Sequence, residues 1–465
     1  MSDYFKIKER GSTVRTEISA GITTFMAMAY VFMLNSGIFA ELGVVSYNAI
    51  YIATAISAVI GTVLIGLLAN LPLAQASGMG INAFFVYTVC FGFGLTYANA
   101  LTLVLLDGIV FILLTVTGMR KKIFDSIPQS VKLAMTVGIG LFIAFLGFQK
   151  SGLVVSESST LVTLASFNMF NGNATWESVM PLIVTILTLI AIAVLSIKKV
   201  KGAILFGILG GTIVYYLLGF TIPGFYDGFM SGVSLNPFNA FGDFADQALF
   251  KVFTEGFDFS AYLANNSVSS LIILIVTTAL AFCLVDMFDT MATLYGACSQ
   301  GNLLTKDGEV PNMNRAMLAD AIATAVGAVC GTSTVTTYVE ASAGIAEGGR
   351  TGLSALVTAG MFFISMFLSP ITMLVPGCAT AAVLIYVGVL MMGNVKNIDW
   401  HDTSVAVPAF VTIAMMPFTY NISYGIAFGF IAHILIKLLT GKAKEVNVGT
   451  YIIAALFLAM FFLTH

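Results

Sequence analysis

LAQASGMGINAFFVYTV, residues 73–89, and CGTSTVTTYVEASAGIAEGG, residues 330–349, are the two stretches that decide the fold. The first opens on small polar residues with Gly78 and Gly80, and the second opens on a Ser/Thr run of high β propensity, so neither opening favours a helix. Non-helical backbone at membrane depth must be buried in protein or line a cavity. We therefore expect each stretch to form a short extended segment followed by a half-helix, with the two half-helix starts converging on a binding site.

The composition of the whole chain indicates an all-α polytopic membrane protein. Of its 465 residues, 58% are hydrophobic and 9% are charged, and the mean hydropathy is +0.97. Apolar stretches recur at about the 20 residues that one helical crossing needs, whereas the strands of a membrane β-barrel would alternate. The five cysteines show no CxxC spacing, which favours buried thiols over disulfides or metal ligands. We expect a protein of the lipid bilayer with no metal, no cofactor and no nucleic-acid partner.

The pattern of apolar stretches and charges predicts fourteen spans. They are residues 17–40, 47–70, 76–93, 96–119, 128–148, 178–197, 201–219, 268–297, 313–329, 332–346, 352–372, 377–394, 403–418 and 421–440. A last apolar stretch, 448–464, is either a fifteenth crossing or a helix along the surface. If the N-terminus is cytoplasmic, the basic connectors at Arg120 and Lys198 are cytoplasmic and the acidic connector 220–267 is external, as the positive-inside rule requires. We expect that orientation in the cell membrane, plasma or inner.

Fourteen spans divide into two halves of seven, and an odd number per half makes the halves inverted. The fifth and twelfth spans hold equivalent places, and Pro128 matches Pro376 at the same offset at which Gly140 matches Gly388. The interrupted stretches are the third span of each half, and such a pair is the best sequence pointer to a transporter's binding site. The alternative is that their glycines only allow close helix packing.

We single out four carboxylates inside the predicted spans, namely Asp107, Asp286, Asp289 and Glu340. A charged carboxylate at the centre of a span costs roughly 2.5–3.5 kcal/mol, so each is a candidate functional residue. Asp286 and Asp289, spaced i, i+3, share one helix face, where repulsion and burial both disfavour two charges. One of the pair is therefore a candidate proton carrier. Asp107 fits an interhelical hydrogen bond better, and we leave it outside the site.

Four motifs resemble the hallmark stretches of the AzgA-like purine permeases. These permeases belong to the nucleobase–cation symporter group, which includes uracil and xanthine permeases. The motifs are GITTFMAMAYVFMLN (21–35), ASGMGINAFF (76–85), LVDMFDT (284–290) and TTYVEASAGIAEGGRTGL (336–353). The resemblance runs through nearly the whole chain and implies fourteen spans in two inverted repeats. It further implies a core domain formed by 17–119 with 268–372, and a gate domain formed by 128–219 with 377–440.

The resemblance also implies a substrate site between the third and tenth spans, against the first and eighth. Glu340 matches the carboxylate that hydrogen-bonds the base, and Asp286 matches the acidic ligand of the eighth span, with Asp289 as its support. We assign proton coupling to these three carboxylates. With two neighbours of Glu340 included, the predicted substrate-binding residues are Phe25, Gly80, Asn82, Asp286, Thr337, Val339 and Glu340.

Together these features predict a proton-coupled symporter that imports hypoxanthine, guanine or adenine by alternating access. The alternatives are an anion exchanger of the same fold and a sodium-coupled nucleobase carrier. An intramembrane enzyme would need a nucleophile–base pair or metal ligands, and three histidines supply little material for either. Interrupted paired spans with titratable groups favour a carrier over a channel. The preferred purine and a possible homodimer stay open.

Overall fold

The computed structural model describes residues 2–118, 127–227, 236–306 and 309–463, so the basic connector at Arg120 lies outside the described residues. Within these ranges, nine helices are long and apolar enough to cross a membrane. Twelve of the predicted spans are helical throughout most of their length: Val14–Met28 with Tyr30–Phe39 (span 1), Tyr47–Leu64 (span 2), Tyr97–Val116 (span 4), Gln129–Lys150 (span 5), Trp176–Ile197 (span 6), Ala203–Gly219 (span 7), Val268–Gln300 (span 8), Met313–Cys330 (span 9), Gly352–Ser365 with Ser369–Thr372 (span 11), Gly377–Met391 (span 12), Thr403–Phe418 (span 13) and Ile422–Leu439 (span 14).

Short elements fill the connectors between these spans. Helix Ser2–Phe5 precedes span 1, and helices Pro237–Gln247, Lys251–Thr254 and Ser260–Leu263 lie between spans 7 and 8. The strands, in chain order, are β1 (Gln75–Ser77), β2 (Val154–Glu157), β3 (Leu161–Leu164) and β4 (Val335–Thr337). Strands β2 and β3 form an antiparallel hairpin between spans 5 and 6, whereas β1 and β4 belong to spans 3 and 10.

Spans 3 and 10 begin as strands that cross and pair with each other. β1 and β4 are antiparallel, with Ala76 opposite Thr336 at the centre. The hydrogen bonds between the two strands supply partners for backbone N–H and C=O groups, which lipid could not do. After β1 the chain forms helix Met79–Ala83, which continues as Phe84–Gly92, and after β4 it forms the turn Val339–Ala341 and helix Ser342–Ala346. The predicted sequence of a short extended segment and a half-helix is confirmed in both spans.

The spans pack as two groups. Spans 1–4 and 8–11 contact mainly one another and are here named the core group, and spans 5–7 and 12–14 likewise form the gate group. Glycines mark close approaches within the core group: Gly66 meets Gly352 between spans 2 and 11, and Gly108 meets Ala325 between spans 4 and 9. Small residues permit such close approach of helix backbones in a membrane. That the groups move as domains stays a prediction.

The weak match between the fifth and twelfth spans has a structural counterpart in the gate group. A Cβ on Gly140 would lie 2.9 Å from the carbonyl oxygen of Gly388, and a Cβ on Gly388 would lie 2.5 Å from that of Gly140. Pro128 and Pro376 each occupy the N-cap position of their helix. The residues that match in sequence therefore hold equivalent positions, and the two spans cross where both lack a side chain.

The final apolar stretch forms helix Val448–Leu463, which lies antiparallel along span 14. The ring of Phe461 is 5.4 Å from that of Tyr424, near the beginning of span 14. At the other end, the Tyr451 hydroxyl donates to the carbonyl of Ala443, just past the end of span 14, at 3.3 Å. The helix thus runs beside nearly all of span 14, and whether it crosses the membrane stays open.

Candidate functional site

A cavity of about 370 Å³ lies between the core and gate groups. The volume falls within the range of pockets that enclose small molecules. The core group contributes residues from spans 1, 3, 8 and 10, and the gate group contributes residues from spans 5 and 12. The polar and charged residues of the lining are Tyr30, Thr136, Asp289, Thr293, Thr337, Tyr338, Glu340, Asn394 and Lys396.

Both half-helices begin at this cavity. Met79 is the first helical residue after β1, Val339 begins the turn after β4, and both line the cavity. The first backbone N–H groups of a helix have no partner within it and carry partial positive charge, so they are available as donors. Gly80 stands in the first turn of span 3, where an added Cβ would collide with the side chain of Ile139 in span 5. The missing side chain therefore allows the two spans to meet at the cavity wall.

Glu340 is held at the cavity by a tyrosine from another span. The hydroxyl of Tyr30, in span 1, donates to Oε1 of Glu340 at 2.5 Å, and Tyr30 is 0% exposed. Hydrogen bonds to an ionised carboxylate are shorter and stronger than neutral ones. The bond occupies one lone pair, so the remaining lone pairs of the carboxylate can accept from a ligand. A second tyrosine of the lining, Tyr338, donates to the carbonyl of Ser77 at 2.5 Å and braces β1.

The two aspartates of span 8 have different surroundings. Asp289 lines the cavity together with Glu340. Asp286 is 0% exposed and lies outside the lining; its Oδ2 accepts from the hydroxyl of Thr324 in span 9 at 3.4 Å. Thr324 also donates to the carbonyl of Val335 in β4 at 3.1 Å. Asp289, which was predicted as a support, thus faces the cavity. Asp286, which was predicted as a ligand, instead lies behind the crossing strands.

The other predicted residues divide in the same way. Thr337 and Val339 line the cavity, as Gly80 and Glu340 do. Asn82 is buried behind it, where its Oδ1 accepts from the hydroxyls of Ser77 at 2.8 Å and Ser333 and so ties the two interrupted spans together. Phe25 is outside the lining and packs on Phe362 of span 11, with 5.9 Å between ring centroids. The roles of all seven residues in binding stay predictions.

Asp320 is a site residue that the sequence analysis missed. Its carboxylate, buried in span 9, accepts from Nε2 of Gln75 at 3.0 Å and from the hydroxyl of Thr290 at 2.8 Å. Gln75 begins β1 and also donates to the hydroxyl of Thr337 in β4 at 3.2 Å. Asp320 therefore fixes the crossing strands to span 8 one residue from Asp289. The signal was present, because an acid inside an apolar span is the criterion that singled out the other carboxylates.

Tyr30 and the gate-group lining were also missed. A tyrosine inside an apolar span usually needs a partner for its hydroxyl, so Tyr30 carried a weak signal. Thr136, Asn394 and Lys396 carried none, because nothing local distinguishes them from other residues at the ends and faces of spans. The charged residues of this lining are Lys396, Asp289 and Glu340, so Lys396 places a cation in the same lining as two carboxylates.

Comparisons with known proteins agree on a class of transport protein. Residues 15–428 match the Permease family known as Xan_ur_permease. The chain is 38% identical over 471 residues to the guanine/hypoxanthine permease PbuO of Bacillus subtilis, covering 99% of this chain and 100% of that one. It is 35% identical over 454 residues to the adenine permease AdeP of Escherichia coli, covering 98% and 94%.

Among solved structures, the chain is similar to the transmembrane domain of a cyanobacterium bicarbonate transporter, BicA. The TM-score is 0.60 at 15% sequence identity, and the match covers 90% of this chain and 97% of that one. At this identity the likeness concerns the fold alone. With the crossing strands of spans 3 and 10, it confirms the predicted architecture of fourteen spans in two inverted halves.

Proposed function

The chain belongs to the Xan_ur_permease family of permeases, and from this we propose that it imports purine nucleobases by proton-coupled alternating access. Membership confirms the resemblance that the four motifs indicated and makes the chain an integral membrane transport protein. Relatives named as guanine/hypoxanthine and adenine permeases match it over nearly their whole length, which supports a purine as cargo.

The observation that carries the proposal is Glu340 in the cavity, held by the Tyr30 hydroxyl at 2.5 Å. A neutral purine presents N–H donors beside ring nitrogens that accept. A carboxylate pairs with the donors, and backbone N–H groups of the half-helix starts pair with the acceptors. An anion would meet the carboxylates of Glu340 and Asp289 in the same cavity, which argues against an anion exchanger.

Proton coupling is supported by the position of Asp289. Two carboxylates that line one cavity repel each other when both are ionised. A proton bound to either of them removes that repulsion and leaves the other free to accept from the base. The proton and the base then bind more readily together than singly, which is the thermodynamic requirement for symport.

Alternating access is supported by the position of the cavity between the core and gate groups. The carboxylates stand on the core group, whereas Thr136, Asn394 and Lys396 stand on the gate group. A movement of one group against the other would open the cavity to either side of the membrane while leaving the ligands of the core group in place.

Uptake into vesicles tests the proposal. Purified protein in liposomes is given labelled hypoxanthine, guanine, adenine or uracil, with and without an inward proton gradient. We expect purine accumulation that collapses with a protonophore, that is lost in Glu340→Gln, and that is kept in Glu177→Gln, an exposed carboxylate at the beginning of span 6. Accumulation driven by a sodium gradient instead would mean that sodium, and not the proton, is the coupling ion. Transport of bicarbonate with no purine uptake would refute it.

A further inference from the structure

We propose that Glu41, Lys150, Tyr87 and Tyr420 form the gate that closes the binding cavity on the face of the molecule opposite to its opening. The inference rests on the proposed function, since a gate has meaning only for a carrier with alternating access. It assigns a transport role to four residues that take no part in the cavity lining.

The cavity rim and the four residues lie on opposite faces of the molecule. In a chain of fourteen crossings, all odd-numbered spans end at one face and all even-numbered spans end at the other. Gly296 of the cavity lining lies near the end of span 8, and Asn394 with Lys396 follows span 12, so the lining reaches the even-numbered ends and we place the opening there. The four proposed gate residues lie at or near the ends of spans 1, 3, 5 and 13, which are odd-numbered.

An ion pair joins the two groups of spans on that face. Nζ of Lys150, the last residue of span 5, lies 2.7 Å from Oε1 of Glu41, which follows span 1. The hydroxyl of Tyr87, in span 3, donates to Oε2 of the same carboxylate at 2.7 Å. Glu41 thereby connects the gate group to two spans of the core group. The side chains are 22% exposed for Lys150 and 39% for Glu41, so the pair is partly shielded from water and stronger than an open surface pair.

An aromatic cluster seals the same place. The ring of Tyr420, between spans 13 and 14, contacts Tyr87 edge to face at 5.6 Å and Phe142 of span 5 at 5.4 Å. Tyr420 has φ of 55°, a left-handed conformation that reverses the chain, and Asn421 caps span 14 next to it. The turn therefore points the ring across the boundary between the groups. Edge-to-face rings add attraction beyond their buried area.

Two of these contacts must break if the cavity is to open on this face. The Lys150–Glu41 ion pair and the Tyr420–Tyr87 ring contact each join the gate group to the core group, so a relative movement of the groups separates their partners. The ion pair and the rings thus bias the carrier towards the state seen here, which is closed on this face and open on the other. By the linkage between conformation and binding, weakening them shifts the carrier towards the opposite orientation.

Labelling of a cysteine inside the cavity tests the gate without any substrate. Thr136→Cys places a thiol in the cavity lining, and the native cysteines are buried. Every variant also carries Cys90→Ala, because Cys90 lines a separate cavity on the face of the four gate residues. We expect Lys150→Glu to speed the reaction of the introduced thiol with a membrane-impermeant maleimide, added only from that face, by about fivefold, the upper range for a partly exposed ion pair. The exchanged pair Glu41→Lys/Lys150→Glu restores the slow rate, and the protein without Thr136→Cys gives the background. An unchanged rate in Lys150→Glu overturns the proposal.

A second ion pair between the groups supplies a matched control. Nζ of Lys201, before span 7, lies 2.5 Å from Oε2 of Glu347, after span 10. Both residues stand at the opposite face, where even-numbered spans end. We expect Lys201→Glu to leave the labelling of the introduced thiol unchanged. Equal acceleration by Lys201→Glu and Lys150→Glu would indicate general loosening and would overturn the assignment of a gate.

A reversible cross-link separates the gate from the proposed cargo. In Glu41→Cys/Lys150→Cys, a bifunctional thiosulfonate joins the two positions. We expect hypoxanthine binding within twofold of the untreated protein, loss of at least about 90% of uptake, and recovery on reduction. Full uptake after complete cross-linking overturns the gate. Absence of hypoxanthine binding in the unmodified protein would instead refute the proposed cargo, and the labelling experiment would then decide the gate alone.

Discussion

Tyr30→Phe removes one hydroxyl from the cavity and leaves the packing of span 1 intact. That hydroxyl makes the 2.5 Å bond to Glu340, and Tyr30 is buried. A hydrogen bond to a charged group contributes about 1.5–3 kcal/mol. Without this bond, the carboxylate is no longer held where the base binds. Ordering the carboxylate then reduces the binding free energy of the base. If the whole bond energy is lost from binding, the affinity for the purine falls by about 10- to 150-fold.

The assay measures hypoxanthine binding and initial uptake rates for Tyr30→Phe, Glu340→Gln and the double variant. We expect Tyr30→Phe to weaken binding strongly in the parent but by less than about threefold in the Glu340→Gln background, because the charge-assisted bond is already lost there. Tyr51→Phe is the matched control, since its buried hydroxyl donates to the carbonyl of Ser365 at 2.9 Å outside the cavity. Equal losses in both backgrounds, or no loss in the parent, would refute the reasoning.

The other predictions concern the frame around the cavity. Asp320→Ala removes the acceptor of two buried side-chain hydrogen bonds, so we expect a loss of about 2–4 kcal/mol in thermal unfolding in detergent, with a smaller loss for Asp320→Asn. Equal stability of Asp320→Ala and the parent would contradict this. Gly80→Ala forces a methyl group against Ile139, so we expect a destabilisation of about 1–3 kcal/mol from overpacking and loss of uptake. Gly360→Ala is the control and should transport normally, because no atom lies within 4 Å of its added Cβ. Uptake by both variants would show that the close approach at Gly80 is unimportant. Glu17 accepts from the backbone N–H groups of residues 350 and 351 at 2.9 and 3.3 Å and from a serine hydroxyl at 2.5 Å. We therefore expect Glu17→Gln to lower the free energy of unfolding by about 1–2 kcal/mol. An unchanged melting temperature would count against this prediction.

Local properties of the chain were enough to predict the fold. A crossing needs about 20 apolar residues, a property of one contiguous stretch, and helix-breaking openings in two such stretches are equally local. The extended openings of spans 3 and 10 were predictable for that reason, whereas their pairing with each other was not. The same argument predicted that Glu340 has a function, because a carboxylate inside a span is unfavourable whichever way its helix is rotated.

Only the tertiary structure decided which side chains meet. Asp286 and Asp289 are about 60° apart around the helix, and that rotation separates the residue that faces the cavity from the one that faces span 9. The partners of Glu340 and Glu41 are Tyr30 and Lys150, which come from other spans and in one case from the other group. A sequence determines how long and how apolar each span is, because those are sums over neighbouring residues. It does not specify the rotation and depth of each helix in the bundle, because packing against every other span sets them.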